Sequence, residues 1–183
     1  MGVESSVAQN LPETATLDLL LATFEEDVQE ISSPQGDATA VVLPGGLKRI
    51  MEFLKDDART RFNLLVDITA VDYLGRKPRF DVVYHLLSLS AKRRLRIKVR
   101  VEESNPEIDS MTSLWGSANW LEREVWDMFG IRFTGHPNLK RILMYEEFQG
   151  HPLRKDYPVN KRQPLIGPKT EEQHRGGKGD LHH

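Results

Sequence analysis

The chain has 183 residues, 39% of them hydrophobic and 28% charged, with a net charge of −2 and no cysteine. The length suits one domain with extended ends and allows roughly 70% of the unfolded surface to be buried, enough for an unstapled core. The missing cysteines exclude disulfides, zinc–cysteine sites, iron–sulfur ligation and thiol nucleophiles in this chain, and fit a reducing compartment.

The first basic residue is Lys48, so the start lacks the charged opening of a secretory signal. No apolar run approaches the roughly 18 residues of a membrane-spanning helix, and membrane contact is expected only through a partner or a lipid. Met1-Gly2 with Ser6 matches the short myristoylation pattern, which arises easily by chance. The small net charge hides large blocks: −7 over residues 1–60, +7 over 61–101, −5 over 102–150 and +3 over 151–183. A uniformly basic nucleic-acid footprint is absent, and alternating blocks suit several partners of different sign.

Residues 1–13 are polar and expected to be flexible. From Thr16, Leu17, Leu20, Leu21, Phe24, Val28 and Ile31 recur at helical spacing, with Thr14 or Thr16 as N-cap. A turn cluster at 32–37 leads to a short strand at 39–43, with which the residues before the turn can pair. Pro44-Gly45-Gly46 breaks that strand; with no GxGxxG or Walker pattern around it, it reads as a strand-to-helix turn. Leu47, Ile50, Met51 and Leu54 then make one face of a helix ending near Asp57.

Residues 61–101 read as a β meander with turns at 75–78 and 90–92. In its third strand Leu95, Ile97, Val99 and Val101 point one way and Arg94, Arg96, Lys98 and Arg100 the other. The basic face is expected to be a solvated face whose arginine stems cover the sheet, with a protein partner as the next reading. Nucleic acid is the weakest, since no interleaved aromatics supply stacking. Residues 102–109 form an acidic loop, and 110–115 a short helical segment. Ser117 or Asn119 caps the central helix, with Glu122 placed as in a capping box and Gly130 as the stop.

The central helix and the stretch after it are the densest in aromatic, charged and turn residues. At about 100° per residue, Glu122 falls inside the apolar arc between Phe129 and Trp126, where a carboxylate must find hydrogen bonds or a cation. Arg123 and Asp127 share a polar edge and can pair i to i+4. Asp127 lies in the last turn, where the helix dipole disfavours an anion, so a cation is expected to fold back onto it from Arg132, Lys140 or Arg141. Glu122, Glu124 and Asp127, with His136 or His151, can be read as acids and bases, or as an ion-pair network joining helix, arm and neighbour. No nucleophile pattern or metal motif completes a mechanism, so the network is the reading adopted.

His136 and His151 each precede a proline, Pro137 and Pro152, which holds the chain extended. Residues 14–133 are therefore expected to form the domain and 134–183 an arm that needs another surface to order it. The tail from Gln163 is expected to be disordered in isolation.

Two blocks carry a resemblance. Glu122-Arg123-Glu124, Asp127-Met128-Phe129, His136 and Lys140-Arg141-Ile142-Leu143 form one, and Gly150-His151-Pro152-Leu153-Arg154-Lys155-Asp156-Tyr157-Pro158 the other. Together they resemble the signatures of the 30-kDa subunit, or C subunit, of NADH–quinone oxidoreductase, respiratory complex I. The resemblance covers about residues 16–160 and implies an α+β domain, a mixed β-sheet flanked by helices, with an extended C-terminal arm. It implies a scaffold without a catalytic site on the cytoplasmic side of a bacterial membrane, next to the D, B and I subunits of complex I. FMN and iron–sulfur clusters would lie in other subunits, and none in this chain. Glu122, Arg123, Glu124, Asp127, His136, Pro137, Lys140, Arg141, His151, Pro152, Leu153, Arg154, Lys155, Asp156 and Tyr157 would serve the interface or its ion pairs. The alternatives are the equivalent subunit of a membrane-bound hydrogenase or related complex, a stand-alone hydrolase, and a nucleic-acid-binding module.

Overall fold

The structure is a computed structural model and describes residues 13–163. The expected flexible N-terminus and the tail beyond Gln163 lie outside the described residues, apart from residue 13.

The alternating basic strand is the middle of the architecture. It runs as β5 (Arg93–Val101) between a parallel neighbour, β2 (Thr39–Val42), and an antiparallel one, β4 (Phe80–Ser88). β4 pairs with β3 (Leu64–Asp72), and β2 with β1 (Val28–Ser32), both antiparallel. The mixed sheet therefore has the order β1-β2-β5-β4-β3. The parallel β2–β5 pair requires a crossover, which the helix α2 (Leu47–Asp56) and the β3–β4 hairpin supply.

Leu95, Ile97, Val99 and Val101 of β5 are buried together with Phe80, Val82, Tyr84 and Leu86 of β4. Leu17 and Leu20 of α1 (Glu13–Thr23), the four apolar residues of α2, and Val125, Met128 and Phe129 of α3 (Ala118–Phe129) join the same cluster. Each fully buried aliphatic or aromatic side chain contributes about 1.5–3 kcal/mol, so this one-sided core carries the fold. The other face of the sheet keeps Arg94, Arg96, Lys98 and Arg100 at or near the surface. Arg96 reaches Asp37 at 3.4 Å and Arg100 reaches Glu30 at 2.9 Å.

The α+β class, the meander and the helix at 47–56 match the expectations from sequence, and four local readings change. The helix expected to continue to Ile31 stops at Thr23, and Val28–Ser32 turns into the edge strand β1. The apolar spacing of Val28 and Ile31 fits either period over so short a run, and pairing with β2 decides it. Thr14 and Thr16 lie inside α1; Thr16 is buried and its hydroxyl accepts a 2.9 Å bond from Arg93 of β5. The acidic loop contains β6 (Glu107–Asp109), which pairs in parallel with β7 (Arg132–Thr134). Residues 110–115 form hydrogen-bonded turns and no helix. Past β7, residues 135–163 form neither helix nor strand.

Candidate interaction site around the central helix

α3 begins after Ser117, whose hydroxyl donates to the Leu65 carbonyl of β3 at 3.1 Å and leaves the helix N-terminus without a side-chain cap. The capping box expected from Asn119 and Glu122 does not form, because Glu122 turns into the core and is 0% exposed. Its Oε2 accepts the Ser110 hydroxyl at 2.6 Å and its Oε1 the Met111 backbone N–H at 2.6 Å. Burial pushes the Glu122 carboxyl up to about 7, and the two donors only partly oppose it. The nearby Tyr84 hydroxyl is buried without a hydrogen-bond partner among the described residues, and burial holds it well above its ordinary range.

Asp127 is equally buried but differently surrounded. Its Oδ2 accepts three successive backbone N–H groups, from Ile142 at 3.1 Å and from Leu143 and Met144 at 2.9 Å. Its Oδ1 takes the Arg141 guanidinium at 2.5 Å. Burial would raise this carboxyl, but the four donors outweigh it and hold Asp127 below the usual carboxylate range. Arg141 is thus the cation that folds back onto the last turn. It also donates to the carbonyls of Phe148 and Gly150, and stacks between Trp126 and Phe148 at 5.6 Å from each ring. The expected i to i+4 pair of Arg123 with Asp127 is absent. Arg123 instead donates to the carbonyls of Lys140 and Arg141, because the folded-back chain fills the space beside Asp127.

The last carbonyls of a helix have no partner inside it. In α3 each finds one. Trp126 O accepts the Gly130 N–H at 2.8 Å and Met128 O the Leu153 N–H at 3.1 Å. Asp127 O meets His151 Nδ1 at 3.0 Å, and Phe129 O takes Arg154 Nε at 2.5 Å. A carbonyl only accepts, so His151 carries its proton on Nδ1; burial lowers its pKa, consistent with a neutral ring. The second motif is therefore the C-cap of the central helix. Gly130 makes this possible twice over: its φ of +76° suits glycine, and a Cβ there would lie 2.6 Å from the His151 ring and 2.8 Å from Arg154.

A second anchor holds the chain further on. Arg79, 2% exposed, grips Asp72 through two bonds of 2.8 and 2.7 Å and Asp156 through two of 2.8 and 3.1 Å, and meets Glu103 at 2.5 Å. Hydrogen bonds from Arg79 hold both aspartates below their ordinary pKa. Asp72 also accepts the Lys155 N–H at 2.7 Å. Tyr157 stacks on Phe148 at 6.0 Å, with Lys161 over its ring and Gln163 on its hydroxyl.

His136 accepts the Asn138 N–H on Nδ1 and donates from Nε2 to the Asn119 carbonyl, both at 3.0 Å, with Pro137 between the two contacts. His136 thus sits against the start of α3 and His151 against its end. Glu124 is exposed, and Lys140 meets α3 through its carbonyl, which accepts from Arg123. Leu153 is 53% exposed beyond its N–H contact, and Pro152 shapes the turn between His151 and Leu153. The arm expected to need a foreign surface is held, from Lys140 to Asp156, by contacts with its own domain.

The geometry brings Asp127, Arg141, His151, Leu153 and Arg154 into one cluster and leaves Glu122 and Glu124 outside it. Among the described residues no group of three or more His, Asp or Glu is placed to hold a metal ion. Sequence reading missed Asp72, Arg79 and Ser110. Only Arg79, an arginine just before a strand that is buried on its inner face, left a signal, since such a cation must find carboxylates.

The family model of the respiratory-chain NADH dehydrogenase 30 Kd subunit matches residues 40–163. The NADH-quinone oxidoreductase C subunit of Roseiflexus sp. (strain RS-1) is 48% identical over 149 residues, 81% of this chain and 86% of the relative. That of Citrifermentans bemidjiense is 48% identical over 146 residues, 79% and 89% of the two chains. Among solved structures, a trypsin-resistant fragment (1-134) of Nqo5 superposes with a TM-score of 0.62 at 37% identity, covering 70% of this chain and all of the fragment. A chain of an archaeal membrane-bound sulfane sulfur reductase shares the fold, with a TM-score of 0.66 at 21% identity. The family-model match takes in both motifs, and on these matches the chain belongs to the family of the 30-kDa subunit of NADH–quinone oxidoreductase.

Proposed function

We propose that the chain is a non-catalytic scaffold subunit in the peripheral arm of a proton-pumping NADH–quinone oxidoreductase. In that assembly electrons pass from NADH through FMN and iron–sulfur clusters, all held by other subunits, to quinone. The observation that carries the scaffold role is the saturation of the central helix's polar groups. Asp127 is filled by four donors, Glu122 is sealed in the core, and the last carbonyls of α3 are capped by the arm. A general acid or base needs a free lone pair or proton within reach of a substrate. None of these groups offers one, and Glu124 stands exposed without an orienting partner among the described residues.

The partners are the D, B and I subunits of complex I, and the chain lies on the cytoplasmic side of a bacterial membrane, touching it only through the complex. No described helix is long and apolar enough to cross a membrane, which accords with that peripheral place. The arm is fixed to the domain through backbone N–H groups and through the side chains of Arg141, His151, Arg154 and Asp156. It leaves Leu143, Tyr145 and Leu153 between 40% and 57% exposed, apolar groups suited to a subunit interface.

The test is purification of a tagged full-length chain from solubilised membranes. Recovery with the D, B and I subunits is expected. Recovery of the chain alone, with NADH–quinone activity remaining in untagged complexes that lack it, overturns the proposal.

A further inference from the structure

The uncovered face of the sheet carries a site that the scaffold reading does not use. A cleft of about 250 Å³ opens between the start of β2, the bulged beginning of β3, and the facing parts of β4 and β5. Its lining includes His85, Arg94 and Arg96, with Ala38, Val66 and Asp37. His85 and Arg96 are direct cross-strand partners, so the imidazole and the guanidinium stand side by side.

The cationic groups here are incompletely matched. Arg96 makes two long contacts of 3.4 Å, to Thr39 and to Asp37, whose side chain is 66% exposed. Arg94 and Lys98 have no ion pair among the described residues, and both lie on this face of β5. His85 also faces Asp67 across the β3–β4 pair; burial and the two arginines nevertheless lower its pKa. Burial of cationic groups is stabilised by an anion that takes bidentate hydrogen bonds from a guanidinium. At the cleft, Leu64 and Val66 of β3 are 39% and 46% exposed. Cations flanked by exposed aliphatic groups match a segment that mixes carboxylates with apolar residues.

We propose that this cleft is a docking site for an acidic segment of a neighbouring subunit, whose carboxylate sits between Arg94, Arg96 and His85. The proposal rests on the reading of the chain as a subunit of a larger complex. It places a contact on the sheet face opposite the helices, away from the arm. The incoming carboxylate displaces the loose Asp37 contact, and the apolar residues of the segment cover Leu64 and Val66.

Carbodiimide cross-linking of the intact purified complex tests this, because the reagent joins a lysine amine to a carboxylate in direct contact. The expected result is a cross-link from Lys98 to an aspartate or glutamate of another subunit. The double variant Arg94→Glu/Arg96→Glu should lose that cross-link and lower recovery of the chain with the complex by about tenfold or more. Both substitutions lie on the solvated face, and circular dichroism of the isolated variant confirms that the sheet is kept.

Absence of any Lys98 cross-link, together with normal assembly of the double variant, overturns the proposal while leaving the scaffold role intact. Inorganic phosphate shifting the His85 resonances of the free chain, with the variant still assembling normally, also overturns it, in favour of a small-anion site. A wild-type chain that joins no complex instead fails the scaffold reading.

Discussion

Two buried carboxylates on one helix, Glu122 and Asp127, have opposite electrostatic fates. Both side chains are 0% exposed. Glu122 faces the sheet, receives two donors and no cation, and is pushed up to about 7. Asp127 faces the arm, receives three backbone N–H groups and Arg141, and is held below its ordinary value. Burial penalises charge at both sites, and the number and charge of the donors decide the outcome. The half of α3 that meets the domain core tolerates a neutral acid, whereas the half that meets the arm requires an anion. The arm is therefore held electrostatically, and the core end of the helix by packing.

Substitutions that remove one side of this contrast should separate the two ends. Asp127→Ala is expected to have the largest effect, about 3–5 kcal/mol, because it strands Arg141 and three backbone donors. Limited proteolysis should then cut within residues 139–157, while chemical denaturation reports a weakened domain. An arm that stays protected would show that the Arg79 anchor suffices alone. The Asp127 contribution should also fade as pH falls below 3.8, since a lowered folded pKa gives stability that is lost on protonation.

Gly130→Ala comes next, at about 2–3 kcal/mol, from the strain of a positive φ and the collision with His151 and Arg154. Its effect should concentrate in the arm, read as faster amide exchange at Leu153 with near-normal exchange in β4 and β5.

Glu122→Gln sharpens the other end. A raised folded pKa gives stability that is complete below the ordinary value of 4.5 and lost as pH rises through about 7. Wild-type stability relative to the Gln variant should therefore fall by about 3 kcal/mol between pH 4.5 and 8. Equal pH dependence of the two proteins in urea titrations would place the proton elsewhere.

Much of the fold was legible because it is written in short-range periodicity. The alternation in β5 and the 3–4 spacing in α2 each identify an element and its buried face without reference to anything distant. The central helix was legible to its last residue, and its misfit Glu122 was visible as a carboxylate in an apolar arc. Val28 and Ile31 were not legible, since two apolar residues three apart fit helix or strand until a hairpin partner is known. β6 and β7 were hidden for a related reason: three-residue strands separated by more than twenty residues carry too little pattern to be seen singly.

The candidate site divides in the same way. That Asp127 needed a cation followed from its position in the last turn, because the dipole acts within the helix itself. That the cation is Arg141, and that Glu122 is met by Ser110 and Met111, depended on which loops return to the helix. The second motif shows the limit most clearly. His151, Leu153 and Arg154 could be named from sequence as residues with a shared purpose, but not as the partners of three helix carbonyls. Local sequence determined the helices, the strands and which polar groups would need partners, because those follow from backbone geometry and burial over a few residues. Tertiary structure alone decided who the partners are, since a hydrogen bond between residues 24 apart, such as that of His151 with Asp127 O, exists only once the chain has closed the loop between them.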